Sequence, residues 1–155
     1  MCGIAGLFAL ERGRPVDPEP LRRMNDRLAH RGPDGHGLQH GSGYALAHRR
    51  LAIVDLATGE QPMATADERL WVVFNGEIYN HLELRTELEA HGAVFRTRSD
   101  TEVLLHGYRA WGTGLAERLR GMFAFVVVDA ARHELYAARD RVGKKPFHWL
   151  VHDGM

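Results

Sequence analysis

The chain has 155 residues and a mass of 17.4 kDa, the size of one ordinary domain. Lys plus Arg and Asp plus Glu each number 20, so no charge excess favours nucleic acid, an anionic membrane or an acidic partner. A single cysteine excludes an internal disulfide, and neither a signal-peptide pattern nor an apolar run of membrane-spanning length occurs. These features predict a soluble, single-domain protein of the cytoplasm.

Taken in chain order, the first half predicts strands around one helix. CGIAGLFAL is apolar enough for a buried strand. Asp17 begins a helical pattern in which Leu21, Met24 and Leu28 share one face, and the Gly-Pro pair at 32–33 ends it. GYALAHRRLAIVD and LWVVF predict the next two strands, and NGEIYN interrupts the second at once.

The second half predicts two helices and a hairpin. Asn80 with Glu83, and Ser99 with Glu102, have the spacing of capping boxes, so each pair is expected to open a helix. VFRTR predicts a short strand, MFAFVVVD and ELYAARD an antiparallel hairpin, and PFHWLVHDG a further strand. Strands with a few helices between them predict an α+β fold. Because the last strand-like pattern reaches the final residue without a polar tail, we expect an incomplete domain that lacks its last strands.

The single cysteine, Cys2, directly follows the initiator methionine. A lone cysteine is most often a small hydrophobe in the core. A small second residue, however, lets Met1 be removed, and Cys2 would then carry the free α-amine, a group that titrates near ~8 and suits a general base at neutral pH. A nucleophile and a base on one residue are typical of N-terminal nucleophiles, which attack a carboxamide carbon, form a thioester and release ammonia.

Such a reaction needs donors for an oxyanion, and FNGEIYN offers them. The apolar strand is expected to end at Asn75 and Gly76, where the Asn75 side-chain amide and the Gly76 N–H converge on one point. An ordinary Asn-Gly hairpin turn is the alternative explanation. Against that alternative, EIYN is typical of a helix start and not of a returning strand.

An amino-acid substrate also needs partners for its two charged groups. Arg49 and Arg50 in HRRLAIVD are candidates for the α-carboxylate, and Asp100 in RSDTE is a candidate for the α-ammonium. A solvated basic pair and a helix cap are the simpler explanations.

Neither a metal nor a cofactor is expected in this chain. The ten histidines are scattered and lack the spacing of a zinc site. VGKKP lacks the P-loop pattern and predicts a turn with exposed lysines.

Seven motifs occur in order along the chain: MCGIAG, HRGPDG, HRRLAIVD, FNGEIYN, RSDTEV, GMFAF and DRVGKKP. Together, over residues 1–155, they resemble the class II glutamine amidotransferase domain in its asparagine synthetase (glutamine-hydrolysing) branch. The resemblance implies an N-terminal-nucleophile (Ntn) hydrolase fold, an αββα sandwich of two mostly antiparallel sheets. RGPDG and RRLAIVD differ from the corresponding stretches of the glutamine:fructose-6-phosphate aminotransferase branch, which favours the asparagine synthetase branch.

The resemblance assigns roles residue by residue. Cys2 matches the nucleophile, and Asn75 and Gly76 match the oxyanion-hole pair. Arg50, and not Arg49, matches the arginine for the glutamine α-carboxylate, because it precedes Leu51 in the R-L-x-I-V-D pattern. The other substrate contacts implied are Leu51, Ala52, Ile53, Val54, Glu77 and Asp100, the last near the α-amino group.

The resemblance implies only the glutaminase half-reaction for this chain, with L-glutamine as substrate. The S-G-G-x-D-S pyrophosphate loop of the family's synthetase domain does not occur in the sequence, and neither does a segment like SE-x-K-A-L. ATP, Mg²⁺ and ammonia transfer to aspartate are therefore expected of a C-terminal synthetase domain in the parent protein. The family commonly dimerises, so a homodimer stays open, although the sequence shows no interface signature.

Three alternatives also stay open. DRVGKKPF and FRTRSDTEV resemble amidotransferases of bacterial polysaccharide or exosortase loci, where the ammonia acceptor is a different molecule. A non-catalytic remnant would bind glutamine or a partner without turnover. A histidine-based metal protein is the third.

Overall fold

The structure is a computed structural model that describes residues 1–51 and 59–155. The described residues form two antiparallel sheets. The first sheet has the order β1-β3-β2, from β1 (Gly3–Phe8), β2 (Gly35–Gly41) and β3 (Tyr44–Arg50). The second has the order β4-β5-β6-β7, from β4 (Met63–Ala64), β5 (Leu70–Ile78), β6 (Gly121–Asp129) and β7 (Glu134–Arg139).

The described helices are short and lie outside the sheets. They are α1 (Glu19–Arg27), α2 (His81–Ala90), α3 (Asp100–Trp111) and α4 (Leu115–Arg118), with 3₁₀ turns at Ala29–Arg31 and Gly112–Gly114. None of these described helices has both the length and the apolarity that a membrane crossing requires.

Three apolar clusters divide the fold into four layers. Leu21 of α1 packs against Ala45 and Ala47 on the outer face of the first sheet. The inner faces of the two sheets meet in a cluster of Tyr44, Leu46, Val73, Val126 and Val128. The largest cluster packs the other face of β5 and β6 against α2 and α3. The order of layers is helix, sheet, sheet, helix, so the α+β sandwich expected from the sequence is confirmed.

The predicted strand end at Asn75 and Gly76 is wrong. β5 continues to Ile78, and Asn75 and Gly76 pair with Ala124 and Phe123 of β6. Gly76 does not form a turn but allows β5 and β6 to approach closely, because a Cβ at Gly76 would collide with the carbonyl oxygen of Met122. Glu77 and Ile78 of EIYN still belong to β5, but α2 begins at His81 with Asn80 as its N-cap residue, so the helix start predicted at Asn80 is confirmed.

The two predicted capping boxes differ from the pattern. The Asn80 side chain does not cap α2 but donates to the Arg118 carbonyl and accepts from the Arg120 N–H, which ties the start of α2 to the entry of β6. Ser99 does cap α3, accepting the Thr101 N–H at 3.2 Å. The Glu102 carboxylate accepts N–H groups of the preceding loop, so only half of the second box forms.

Other expected elements are partly wrong. VFRTR is not a strand, because the N–H groups of Arg96 and Thr97 bind the Glu102 carboxylate and not a neighbouring strand. PFHWLVHDG is not a strand either. In α1, Met24 is 43% exposed, Asn25 is buried, and the helix ends at Arg27, before the Gly-Pro pair. The hairpin of β6 and β7 is confirmed.

Candidate active site

Cys2 directly precedes β1 and faces the space between the sheets. Ile4 and Phe8 pack into the cluster between the sheets, and alternation along a strand gives Cys2 the same direction. Its Sγ lies 3.4 Å from the Leu51 N and 3.6 Å from the Leu51 carbonyl oxygen. The Cys2 carbonyl accepts a 3.1 Å hydrogen bond from Arg31 Nε, which holds the first residues of the chain against the 3₁₀ turn.

A cavity of about 80 Å³ opens beside Cys2. The predicted site residues that line it are Cys2, Arg50, Leu51, Asn75, Gly76, Glu77 and Asp100. Three further predicted contacts, Ala52, Ile53 and Val54, lie outside the described residues. The structure therefore brings every described residue of the predicted site to one cavity, although these residues come from distant parts of the chain.

Strand alternation sets the directions of Asn75 and Gly76. Asn75 shares a face of β5 with Val73, which packs between the sheets, so its side chain projects toward the sheet that carries Cys2. The N–H groups of Phe74 and Ile78 both bind side chains on the edge of β5 opposite β6. Gly76 lies midway between them, so its N–H points toward that same edge, where the cavity lies.

Arg49 and Arg50 point to opposite faces of β3. Arg49 faces α1, where it donates to the Asn25 carbonyl at 3.0 Å and to the Asp26 carboxylate at 2.6 Å. Arg50 lines the cavity with Cys2. The two-residue period of a strand thus separates a structural arginine from one that can meet a substrate carboxylate.

Asp100 presents a buried carboxyl at the first position of α3. It is 6% exposed, lines the cavity and accepts the Ile78 N–H at 2.9 Å. Burial raises the pKa of the Asp100 carboxyl, and the Ile78 N–H and the nearby His81 oppose this effect. A cationic group arriving in the cavity would favour the ionised form of this carboxyl, as the α-ammonium of an amino acid would do.

Lys145 is a cavity residue that the sequence interpretation missed. The expectation of exposed lysines holds for Lys144 but is wrong for Lys145, which is 6% exposed and lines the cavity. The cause is Asp140, whose carboxylate accepts the N–H groups of Phe123, Lys144 and Lys145 and folds the turn inward. An aspartate followed by a glycine turn was the available signal.

His48 and Gln61 were also missed, and both contact the peptide groups of Phe74. Gln61 Oε1 accepts the Phe74 N–H at 2.6 Å, and His48 Nε2 lies 3.2 Å from the Phe74 carbonyl oxygen. Burial lowers the pKa of His48 to about 4, so the ring is neutral at pH 7 and donates from Nε2. Alternation along β3 would have placed His48 inward with Leu46, whereas no pattern marked Gln61.

Among the residues that the structure describes, no group of three or more His, Cys, Asp and Glu side chains is placed to hold a metal ion. The cavity instead combines a thiol, two side-chain amides, backbone N–H groups, two cationic side chains and two carboxyls. Such a set suits nucleophilic attack on the carboxamide of a zwitterionic substrate.

Comparisons with known proteins agree with this chemistry. Residues 1–155 match the sequence model of the family described as glutamine amidotransferase domain. The chain is 47% identical over 153 residues to asparagine synthetase [glutamine-hydrolyzing] 1 of Bacillus subtilis, covering 97% of this chain and 24% of that protein. It is 42% identical over 144 residues to asparagine synthetase [glutamine-hydrolyzing] 1 of Arabidopsis thaliana, covering 92% and 24% respectively. The chain thus spans about a quarter of the length of these relatives.

A solved structure shares the fold. The glutamine phosphoribosylpyrophosphate amidotransferase of B. subtilis, complexed with ADP and GMP, superposes with a TM-score of 0.68 over 88% of this chain and 37% of that one. Sequence identity is 20%, so this likeness concerns the fold alone. It agrees with the Ntn-type sandwich expected from the sequence.

Proposed function

Because the chain belongs to the glutamine amidotransferase domain family, we propose that it hydrolyses the side-chain amide of L-glutamine to glutamate and ammonia. One observation carries this proposal: Cys2, Arg50, Asn75, Gly76 and Asp100 all line one cavity. The proposed roles of these residues follow from the chemistry of their side chains.

Glutamine binds in this proposal through its two α-substituents. The Arg50 guanidinium pairs with the α-carboxylate, and the buried Asp100 carboxyl accepts from the α-ammonium. Glu77 and Leu51 also line the cavity. Binding at both charged groups directs the side-chain carboxamide toward the Cys2 sulfur.

The first chemical step is the attack of Cys2 on the carboxamide carbon. We propose that removal of Met1 makes the Cys2 α-amine the general base that takes the thiol proton. The sulfur–carbon bond forms as the carbonyl π electrons move to oxygen. The Asn75 side-chain amide and the Gly76 N–H donate to this oxyanion. As the oxyanion collapses, the carbon–nitrogen bond breaks, and the leaving nitrogen takes the proton from the amine and departs as ammonia.

Hydrolysis of the thioester closes the cycle. The neutral α-amine takes a proton from a water molecule, which attacks the thioester carbon through a second oxyanion held by the same two donors. The carbon–sulfur bond then breaks, the amine returns the proton to sulfur, and glutamate leaves. Met1 lines the cavity, so its removal would both free the Cys2 α-amine and enlarge the space for substrate.

We further propose that, in a longer parent protein, the ammonia serves ATP-dependent synthesis of asparagine from aspartate. The support is the identity of 42–47% to relatives named as glutamine-hydrolysing asparagine synthetases, of which this chain spans about a quarter. ATP and Mg²⁺ would then belong to the synthetase domain. A cytoplasmic location is part of this proposal, and an acceptor other than aspartate is the alternative.

Intact-mass analysis of the purified chain tests the glutaminase proposal. The chain is measured with and without a diazo- or chloroketone analogue of glutamine that alkylates reactive thiols. We expect a mass lower by one methionine and a single adduct, suppressed by glutamine and absent from Cys2→Ala. The same variant should release ammonia at least about 10³-fold more slowly, with an unchanged melting temperature. An unprocessed or unreactive wild-type chain, or a fully active Cys2→Ala, would contradict the proposal.

A further inference from the structure

We propose that His48 and Gln61 are positioning residues of this site, which hold the Phe74 peptide groups so that the Gly76 N–H faces the cavity. This inference rests on the proposed function, since it gives that N–H the task of stabilising an oxyanion. Neither residue is itself assigned a contact with the reacting atoms.

Among the residues that the structure describes, no strand pairs with the part of the β5 edge that carries the Gly76 N–H. β4 pairs only with Trp71 and Val72, and beyond Val72 no described strand continues along this edge. At Phe74 two side chains bind the peptide groups: Gln61 Oε1 accepts its N–H at 2.6 Å, and His48 Nε2 donates to its carbonyl at 3.2 Å. Buried peptide groups need such partners. These two hydrogen bonds fix the orientation of the Phe74 N–H and carbonyl, two residues before Gly76.

His48 forms its hydrogen bond across the gap between the two sheets. It lies on β3, in register with Ile4 of β1, two residues after Cys2. Its bond to the Phe74 carbonyl therefore links the sheet that carries the sulfur to the strand that carries the oxyanion donors. Nucleophilic catalysis is sensitive to a misplacement of about 1 Å, so this link bears directly on the reaction.

A histidine at this position supplies one hydrogen bond and leaves one of its own ring nitrogens unpaired. His48 is 1% exposed, and its Nδ1 has no hydrogen-bond partner among the described residues. An apolar side chain of similar volume would remove this unpaired nitrogen, but it would leave the buried Phe74 carbonyl without its donor. The histidine contributes what an apolar residue cannot, which is a donor aimed at the Phe74 carbonyl.

Gln61 extends the same arrangement to the start of α3. Its Nε2 donates to Thr101 Oγ1 at 3.2 Å, and the neighbouring Asp100 accepts the Ile78 N–H at 2.9 Å. The strand is thus held on both sides of Gly76, at Phe74 and at Ile78. The proposed partner of the α-ammonium and the proposed oxyanion donor are consequently linked by one set of hydrogen bonds.

Steady-state kinetics on four variants test the inference. His48→Leu and Gln61→Met remove the hydrogen bonds, His48→Gln keeps an amide donor at that position, and His40→Leu is a control on an exposed histidine of β2. We expect kcat for ammonia release to fall roughly 10²-fold in the first two, with KM for glutamine little changed. His48→Gln should recover part of the loss, and His40→Leu should match wild type.

Two thiol probes separate positioning from a general loss of structure. The γ-aldehyde analogue of glutamine adds the Cys2 sulfur to its carbonyl carbon and places charge on the carbonyl oxygen, so its inhibition constant should rise as kcat/KM falls. Iodoacetamide alkylates the same sulfur by displacing iodide and forms no oxyanion, so its rate should stay unchanged. Equal loss of both reactions in His48→Leu and Gln61→Met would overturn the inference.

The remaining outcomes distinguish the inference from the proposed function. Wild-type kcat in both variants overturns the inference and leaves the proposed function standing. A wild-type chain that releases no ammonia in a Cys2-dependent manner overturns the proposed function, and the inference with it.

Discussion

The two faces of β5 are both apolar in the first part of this nine-residue strand and differ from Asn75 onward. The residues that face α2 and α3 stay apolar to the end of the strand, apart from the single glycine: Leu70, Val72, Phe74, Gly76 and Ile78. The residues that face the first sheet begin as Trp71 and Val73 and change to Asn75 and Glu77. The side of β5 that faces the helices therefore belongs to the apolar core along its whole length. The side that faces the first sheet is apolar at first and then lines the polar cavity.

This difference separates stability from chemistry within one element. Burial of the helix-facing side chains provides hydrophobic stabilisation along the whole strand, including the part beside the cavity. The inward face can carry an amide and a carboxyl because the opposite side already holds the strand in place. Substitutions on the helix-facing side should change the free energy of unfolding, and substitutions on the inward side should change the kinetics.

The largest expected effect is on the apolar side. Leu104 of α3 is fully buried against this face, and Leu104→Ala should lower the free energy of unfolding by about 2–5 kcal/mol through lost burial and a new cavity. Urea unfolding measures the change, and kcat per folded molecule should stay the same. Leu82→Ala on α2, where the leucine is 66% exposed, is the matched control and should change little. A selective loss of kcat in Leu104→Ala would contradict the assignment of stability to the helix-facing side of β5 and of catalysis to its inward side.

Asn75→Ala tests the inward face of the same strand. Removing one oxyanion donor should lower kcat for glutamine hydrolysis by about 10²–10³-fold, with KM nearly constant. The melting temperature should change little, because Asn75 borders the cavity and not the apolar core. A variant that unfolds before it loses kcat would show that Asn75 serves the fold.

The pH dependence of stability reports on the buried histidine between the sheets. Burial, aided by the nearby charge of Arg50, lowers the pKa of His48 from 6.5 to about 4, and the hydrogen bond to Phe74 opposes the shift. Between these values the unfolded chain binds a proton that the folded chain excludes, so the fold loses roughly 3 kcal/mol as pH falls from above 6.5 to 4.

Urea unfolding of wild type and His48→Gln at pH 7.5 and 4.5 measures this contribution. Glu102 also contributes a loss of stability in this range, but equally in both proteins. Burial raises the pKa of its carboxyl, but hydrogen bonds from His106 and Thr97 outweigh burial and lower it to about 2, so its contribution begins to be lost as pH falls through its ordinary value of 4.5, and this loss cancels in the comparison. An equal pH-dependent loss in both proteins would show that His48 is not the responsible group.

The smallest expected effect distinguishes two adjacent arginines. Arg50→Lys should raise KM for glutamine about tenfold, since a lysine cannot form the two parallel hydrogen bonds of a guanidinium with a carboxylate. Arg49→Lys should leave KM unchanged and cost less than about 1 kcal/mol of stability, because its partner Asp26 is 75% exposed. A higher KM in Arg49→Lys alone would reverse the assignment of the two faces of β3.

Part of this site was predictable because it depends on local order. The position of Cys2 and the presence of Asp100 at a helix start follow from the sequence, the choice of Arg50 follows from the family resemblance, and the structure lines one cavity with all three residues. The position of Asn75 and Gly76 at a strand end was wrong, because glycine signals both a turn and a close approach of strands. Only the partner strand distinguishes these two uses.

The sequence by itself determined the α+β class, the β6–β7 hairpin and the types of residue at the site, since periodicity and capping are local properties of the chain. Tertiary structure alone decided which side chains meet. Gln61 accepts the Phe74 N–H at the edge of β5, His48 bridges two sheets, and Asp140 turns Lys145 inward. Each of these contacts joins elements whose approach is set by packing of the whole sandwich, and no spacing along the chain encodes it.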